Sequence, residues 1–308
     1  MYAFKRVMIG LDFTLMDRGL IKFSSQLCQM IQAEEVTFIN IQPSLEIPEE
    51  LKADFPYIIS SPLEKLSEDL MTLVNENWSD GETWDGQLNY LIKEGSPRRE
   101  LIKEAELADV DLIIMGIKQQ GGSGIVPAQV ARKAPCSVLF VPENPPLDLK
   151  KILVGCDFSE HAKLALQEAM DLQKMGPKDI ELTLQHVYQV PMGYYKTGRT
   201  EAQFAGLMRQ HAEKRLINFA DEYDLDLAGI ERVFTYGRKA SPANLMHEEA
   251  HQRDVDLIIV AARGLSGLSA LLLGSVTEKL IKIEDQIPLL IVKRKGYAPS
   301  LRSIIDQI

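Results

Sequence analysis

Short continuous apolar runs alternate along this chain with longer stretches in which apolar residues recur every third or fourth position. Leu257-Ile258-Ile259-Val260 is one such run. A glycine-bearing stretch, 261–273, follows it, then Val276, Leu280 and Ile283 at helical spacing, then the run Leu289-Leu290-Ile291-Val292. Unbroken runs of this kind are what a parallel strand covered on both faces requires, and the periodic stretch suits the crossover helix between two such strands. The same reading predicts strands near 6–11, 36–42, 87–93, 112–116 and 137–141 in the first half. In the second half it predicts 152–156, 182–187, 230–236, 257–260 and 289–292. Strand and helix alternating in this way imply an α/β fold with parallel sheets flanked by helices. Right-handed crossovers then place a ligand crevice at the carboxyl ends of the strands in each half.

The two halves repeat one another. Lys5-Arg6-Val7-Met8-Ile9-Gly10-Leu11-Asp12-Phe13 returns as Lys150-Lys151-Ile152-Leu153-Val154-Gly155-Cys156-Asp157-Phe158, and Asp109-Val110-Asp111-Leu112 returns as Asp254-Val255-Asp256-Leu257. Both pairs are displaced by 145 positions, which reads as a duplicated domain. The expected division is a first domain over 1–143, a linker over 144–149 within a proline-bearing stretch, a second domain over 150–295 and a tail over 296–308.

The chemistry concentrates in the glycine-bearing loop of the second half. Gly264 and Gly274-Ser275 bracket the approach to a helix start, where unpaired N–H groups, the positive end of the helix dipole and a hydroxyl suit an anion. At these residues the sequence resembles the universal stress protein family, whose nucleotide-binding members carry G-x2-G-x9-G-[ST]. Here the pattern stands as Ala261-x2-Gly264-x9-Gly274-Ser275, with alanine at the first position. The added methyl is expected to weaken binding where the backbone passes close to a nucleotide.

The resemblance implies two tandem Rossmann-like domains of the adenine nucleotide alpha hydrolase type, each a five-stranded parallel sheet. It implies an adenine nucleotide in the second domain: ATP, with ADP and AMP left open, and Mg2+ as a companion the sequence admits. It implies Asp157 at the adenosine end and the backbone of Val187 against adenine. Gly155, Asp157, Val187, Val260, Ala261, Gly264, Gly274, Ser275 and Val276 are expected to share one crevice, and Arg263 has a claim on phosphate, with a solvated arginine as the ordinary alternative. The segment from Tyr188 to Met208, with Tyr194, Tyr195, Lys196 and Arg199, reads equally as a cover over the nucleotide or as a solvated excursion. In the family the last strands of two domains pair across an interface, so 137–141 and 289–292 are expected to pair within this chain, and two chains to dimerise further.

The first half keeps Asp12 but has an eroded loop. It is five residues shorter, Gln119 stands where Gly264 stands, and the cluster Gly121-Gly122-Ser123-Gly124 lacks the lysine of a P-loop. No triphosphate site is expected there. Composition narrows the rest. A net charge of −10 disfavours nucleic acid and anionic membranes as partners. Cys28, Cys136 and Cys156, odd in number and scattered, fit buried thiols in a reducing cytoplasm. No nucleophile with a recognisable base is evident, so catalytic residues are not assigned. The expected activity is binding and signalling to an unidentified protein partner, with slow ATP hydrolysis or autophosphorylation left open. A scaffold that binds no nucleotide is the alternative within the family. His247-Glu248-Glu249-Ala250-His251 has the H-E-x-x-H spacing of zinc metalloproteases. The repeat sets His247 opposite Ile102 and His251 opposite Glu106, and no third ligand is evident. The expectation is therefore two histidines at the surface or core edge, with no metal.

Overall fold

The computed structural model describes residues 4–43, 63–79, 84–118, 125–176, 180–238, 240–264 and 273–295. The first half contains β1 (Arg6–Leu11), α1 (Met16–Met30), β2 (Glu35–Gln42), α2 (Leu63–Asn77), β3 (Gln87–Glu94), α3 (Pro97–Leu107), β4 (Leu112–Gly116), α4 (Ile125–Lys133) and β5 (Ser137–Val141). The second half repeats this order with β6 (Lys151–Gly155), α5 (Glu160–Met175), β7 (Glu181–Tyr188), α6 (Glu201–Tyr223), β8 (Ile230–Tyr236), α7 (Pro242–Gln252), β9 (Leu257–Ala261), α8 (Ser275–Ile283) and β10 (Leu289–Val292). Each strand end lies within one residue of the sequence expectation. Long apolar runs leave little freedom over where a doubly covered strand begins and ends.

The ten strands form one sheet in the order β3-β2-β1-β4-β5-β10-β9-β6-β7-β8. Within each half every pairing is parallel, and the halves join where β5 meets β10 antiparallel, with Leu290 opposite Leu139. This is the intrachain pairing the resemblance implies. It removes two open strand edges from solvent, edges that would otherwise recruit other chains. All residues of β5 and β10 are buried, and alternate side chains serve opposite faces. Leu139, Val141, Leu290 and Val292 enter the apolar layer on one face, while Val138, Phe140, Leu289 and Ile291 enter the layer on the other. Both layers therefore run across the junction.

The structure also explains the repeated Asp-Val-Asp. Asp109 and Asp254 occupy the left-handed region, at φ 50° and 51°, and turn the chain from helix into strand. Asp111 Oδ2 then accepts the N–H groups of Lys5 and Arg6, and Asp256 Oδ2 accepts those of Lys150 and Lys151. The motif anchors the opening strand of each domain to the strand beside it. Gln119, the glycine cluster 121–124 and the tail 296–308 lie outside the described residues.

Candidate functional site

In each half the strand order reverses beside the opening strand, between β1 and β4 and between β6 and β9. Open α/β sheets form their ligand crevices at such points. In the second half a cavity of about 250 Å³ opens there, a little below the roughly 300–1,000 Å³ of most small-molecule sites. It is lined by all ten residues expected from the sequence: Gly155, Asp157, Val187, Val260, Ala261, Arg263, Gly264, Gly274, Ser275 and Val276.

One wall is the start of α8. Ser159, Thr200 and Ser241 cap α5, α6 and α7 with their side chains. By contrast, α8 begins at Gly274, which has no side chain to cap it, and Gly274, Ser275, Val276 and Thr277 at this helix start line the cavity. Thr277 in that turn directs its hydroxyl to the carbonyl of Ala261 at 2.7 Å, tying the helix start to the end of β9.

A second wall follows β6. Asp157 Oδ1 accepts the N–H of Ser159 at 3.1 Å, and the Ser159 hydroxyl accepts that of Ala162, so carboxylate and helix start are set as one turn. A Cβ at Gly264 would stand 2.3 Å from Asp157 Oδ2, so any larger residue there would have to push this carboxylate aside. Among the described residues the nearest atom to a Cβ added at Gly274 is 3.5 Å away, an ordinary contact distance. Ala261 requires no unusual backbone. It is the last residue of β9, paired with Val292, and does not have a positive φ. The feared penalty of alanine for glycine therefore does not arise from the backbone conformation; the methyl forms part of the cavity wall.

The floor holds residues that sequence reasoning passed over. Pro242, Met246 and Ala162 add apolar surface beside Val187 and Val260. Gln185 is fully buried and lines the cavity. Its Nε2 donates to Thr235 Oγ1 at 2.9 Å, while its Oε1 is buried with no hydrogen-bond partner among the described residues. Such an acceptor is costly unless something donates to it. Its signal was an amide inside the apolar strand Leu182-Thr183-Leu184, at a register position where the first half has Ile39. His186 donates from Nδ1 to the carbonyl of Cys156 at 2.7 Å and stacks on Phe158, 4.2 Å between ring centroids. Burial pushes its pKa down, which keeps the ring neutral.

The segment after β7 corrects one expectation. Tyr188 still belongs to the strand, Tyr194–Thr197 form a short 3-10 turn, and α6 starts at Glu201 behind the Thr200 capping box. Tyr194 packs near Phe204, Tyr195 is two-thirds exposed, and neither they nor Lys196 or Arg199 line the cavity. The helix claims the residues through Met208 that were read as loop. All three cysteines are free and buried, and burial pushes the Cys136 and Cys156 thiols up to about 12. Among the described residues no helix is long and apolar enough to cross a membrane.

Residues 3–142 and 148–293 each match the model of the universal stress protein family. A universal stress protein of Methanocaldococcus jannaschii is 26% identical over 164 residues, 48% of this chain and 96% of that protein. One from Bacillus subtilis is 29% identical over 157 residues, 46% of this chain and 98% of its own length. Among solved structures, a universal stress protein of Archaeoglobus fulgidus agrees in fold over 94% of this chain and 99% of its own, with TM-score 0.60 at 18% identity.

Proposed function

The chain belongs to the universal stress protein family, and from that premise we propose that its second domain binds an adenine nucleotide, ATP, and that the chain acts by binding and signalling. The observation that carries this reading is the uncapped start of α8, opening on a cavity whose floor is apolar. Adenine lies against Val187, Val260 and Met246, where burial of a flat apolar surface supplies most of the affinity. The orphaned Gln185 Oε1 accepts from the exocyclic amine of the base. Asp157 accepts from the ribose hydroxyls, and the phosphates extend to the N–H groups of Ser275 and Val276, with Arg263 at the rim.

Nothing among the lining residues pairs a nucleophile with a base, which favours slow or no turnover. The bound nucleotide instead adds contacts that link α8, β9 and the start of α5, and a protein partner reads the resulting surface. Release of nucleotide from the freshly purified, denatured protein, identified by mass spectrometry, together with calorimetric titration of ATP into the emptied chain, tests this. One ATP per chain is the expected result. Two per chain would mean that the first crevice also binds, and none, with no heat of titration, would leave the chain as a scaffold.

A further inference from the structure

The H-E-x-x-H stretch, set aside on sequence grounds for want of a third ligand, acquires one in the fold. His247 and His251 lie one turn apart on α7. Glu284, the residue that ends α8, meets them with its side chain fully buried. Its Oε1 accepts the N–H groups of Gln286 at 3.0 Å and Ile287 at 2.9 Å, which fixes the carboxylate. Its Oε2 stands 2.8 Å from His247 Nδ1 and 3.3 Å from His251 Nε2. The three ligand atoms all lie within 4.8 Å of one another. Tetrahedral zinc, with bonds of about 2.0–2.1 Å, needs its ligand atoms roughly 3.3 Å apart, so small rotations would admit the ion.

Two further observations point the same way. His251 Nε2 is buried and makes no hydrogen bond among the described residues, although it faces the Glu284 carboxylate. The fold itself does not ask for the cluster. Its counterparts in the first domain are Ile102, Glu106 and Ala134, and both Ile102 and Ala134 are buried in the apolar core. A buried carboxylate retained where the sister domain manages with alanine calls for a compensating cation or hydrogen bonds.

We propose that His247, His251 and Glu284 bind one divalent transition-metal ion, with Zn2+ the ion that this two-imidazole, one-carboxylate set suits best. The ion joins α7 to the end of α8, with the three side chains as its protein ligands and water as the remaining one. The site is not that of a peptidase. Glu248, which would have to serve as base in that motif, is exposed. Ser275 at the cavity and Glu284 at the metal lie at opposite ends of α8, so this site stands apart from the nucleotide reading.

The test uses the full chain stripped with a chelator, titrated with Zn2+ by calorimetry and with Co2+ by visible absorption. The expected result is one equivalent, tetrahedral Co2+ bands, and a rise in melting temperature with Zn2+. In His251→Ala and Glu284→Gln the affinity is expected to fall at least about 100-fold, since even outer-shell partners cost roughly 10–100-fold. Glu284→Gln keeps a carbonyl for Gln286 and Ile287, so its fold is preserved. Less than one equivalent in the unmodified chain, or affinity in both variants equal to that of the unmodified chain, would overturn the assignment.

Discussion

The two crevices of this sheet share a backbone and differ in what fills them. Phe13 and Phe158 occupy the same strained left-handed conformation, φ 57° and 62°, just after Asp12 and Asp157. That strain therefore belongs to the fold rather than to a ligand site. In the first domain Lys118, at the position of Arg263, forms an ion pair with Asp12 at 3.2 Å, and the Thr14 hydroxyl donates to the same carboxylate at 2.6 Å. Burial pushes the Asp12 pKa up, but the hydrogen bonds and charge from Thr14 and Lys118 outweigh it and hold it low. Met16 packs over Gly116 so closely that a Cβ there would meet its sulfur at 2.4 Å. Asp17, buried, stands where Ala162 lines the second cavity, and Ile39 stands where Gln185 does. Among the described residues, the two crevices thus differ in the side chains at matching positions of their walls. A fold supplies a crevice at its switch point; the residues on its walls decide whether a ligand can enter.

The comparison breaks most completely if Gly264 is replaced. Gly264→Val drives a side chain into Asp157 and the cavity, and ATP affinity is expected to fall at least about 1,000-fold, roughly 4 kcal/mol, with circular dichroism unchanged. Unchanged affinity would remove the second crevice from consideration.

The next effect lies in the first domain and is on stability. Burial, then the nearby charge of Asp12, raises the Asp17 pKa to about 6 from an ordinary 3.8. The native state thus holds more protons than the unfolded chain between about pH 4 and 6, and stability falls as pH rises through that window. Asp17→Asn should remove this slope and raise stability at neutral pH by up to about 3 kcal/mol, measured by denaturant unfolding across pH. A slope that runs up to about 8 would remain, because burial likewise raises Glu168 to that value.

Smaller effects sharpen the assignment within the second crevice. Arg263→Ala should weaken ATP about tenfold, about 1.4 kcal/mol, and leave adenosine unaffected, which calorimetry with both ligands distinguishes. Gln185→Ile, which installs the first-domain residue, should cost ATP and adenosine equally, by about three- to tenfold, while leaving thermal stability unchanged or higher, because a buried unpaired carbonyl is removed. Equal binding in this variant would exclude Gln185 as the acceptor for the base.

Much of this molecule was legible before its structure. Runs such as Leu257-Ile258-Ile259-Val260 specify doubly covered strands locally, and the 145-position displacement makes each half a check on the other. The ten crevice residues were named chiefly through the family resemblance, and the fold brings them to one cavity because they sit at strand ends and one helix start, positions that share an edge of a parallel sheet. Other features depended on contacts between segments distant in sequence. That Glu284 meets His247 and His251 depends on how the ends of two neighbouring helices pack. That the Met16 sulfur packs against Gly116 depends on how α1 lies over the end of β4. That Gln185 is left with an unpaired carbonyl depends on Thr235, fifty residues away on the neighbouring strand, taking its amide. Strand and helix follow from periodicity along the chain, whereas which side chains fill, pair or leave open a space follows from packing in three dimensions.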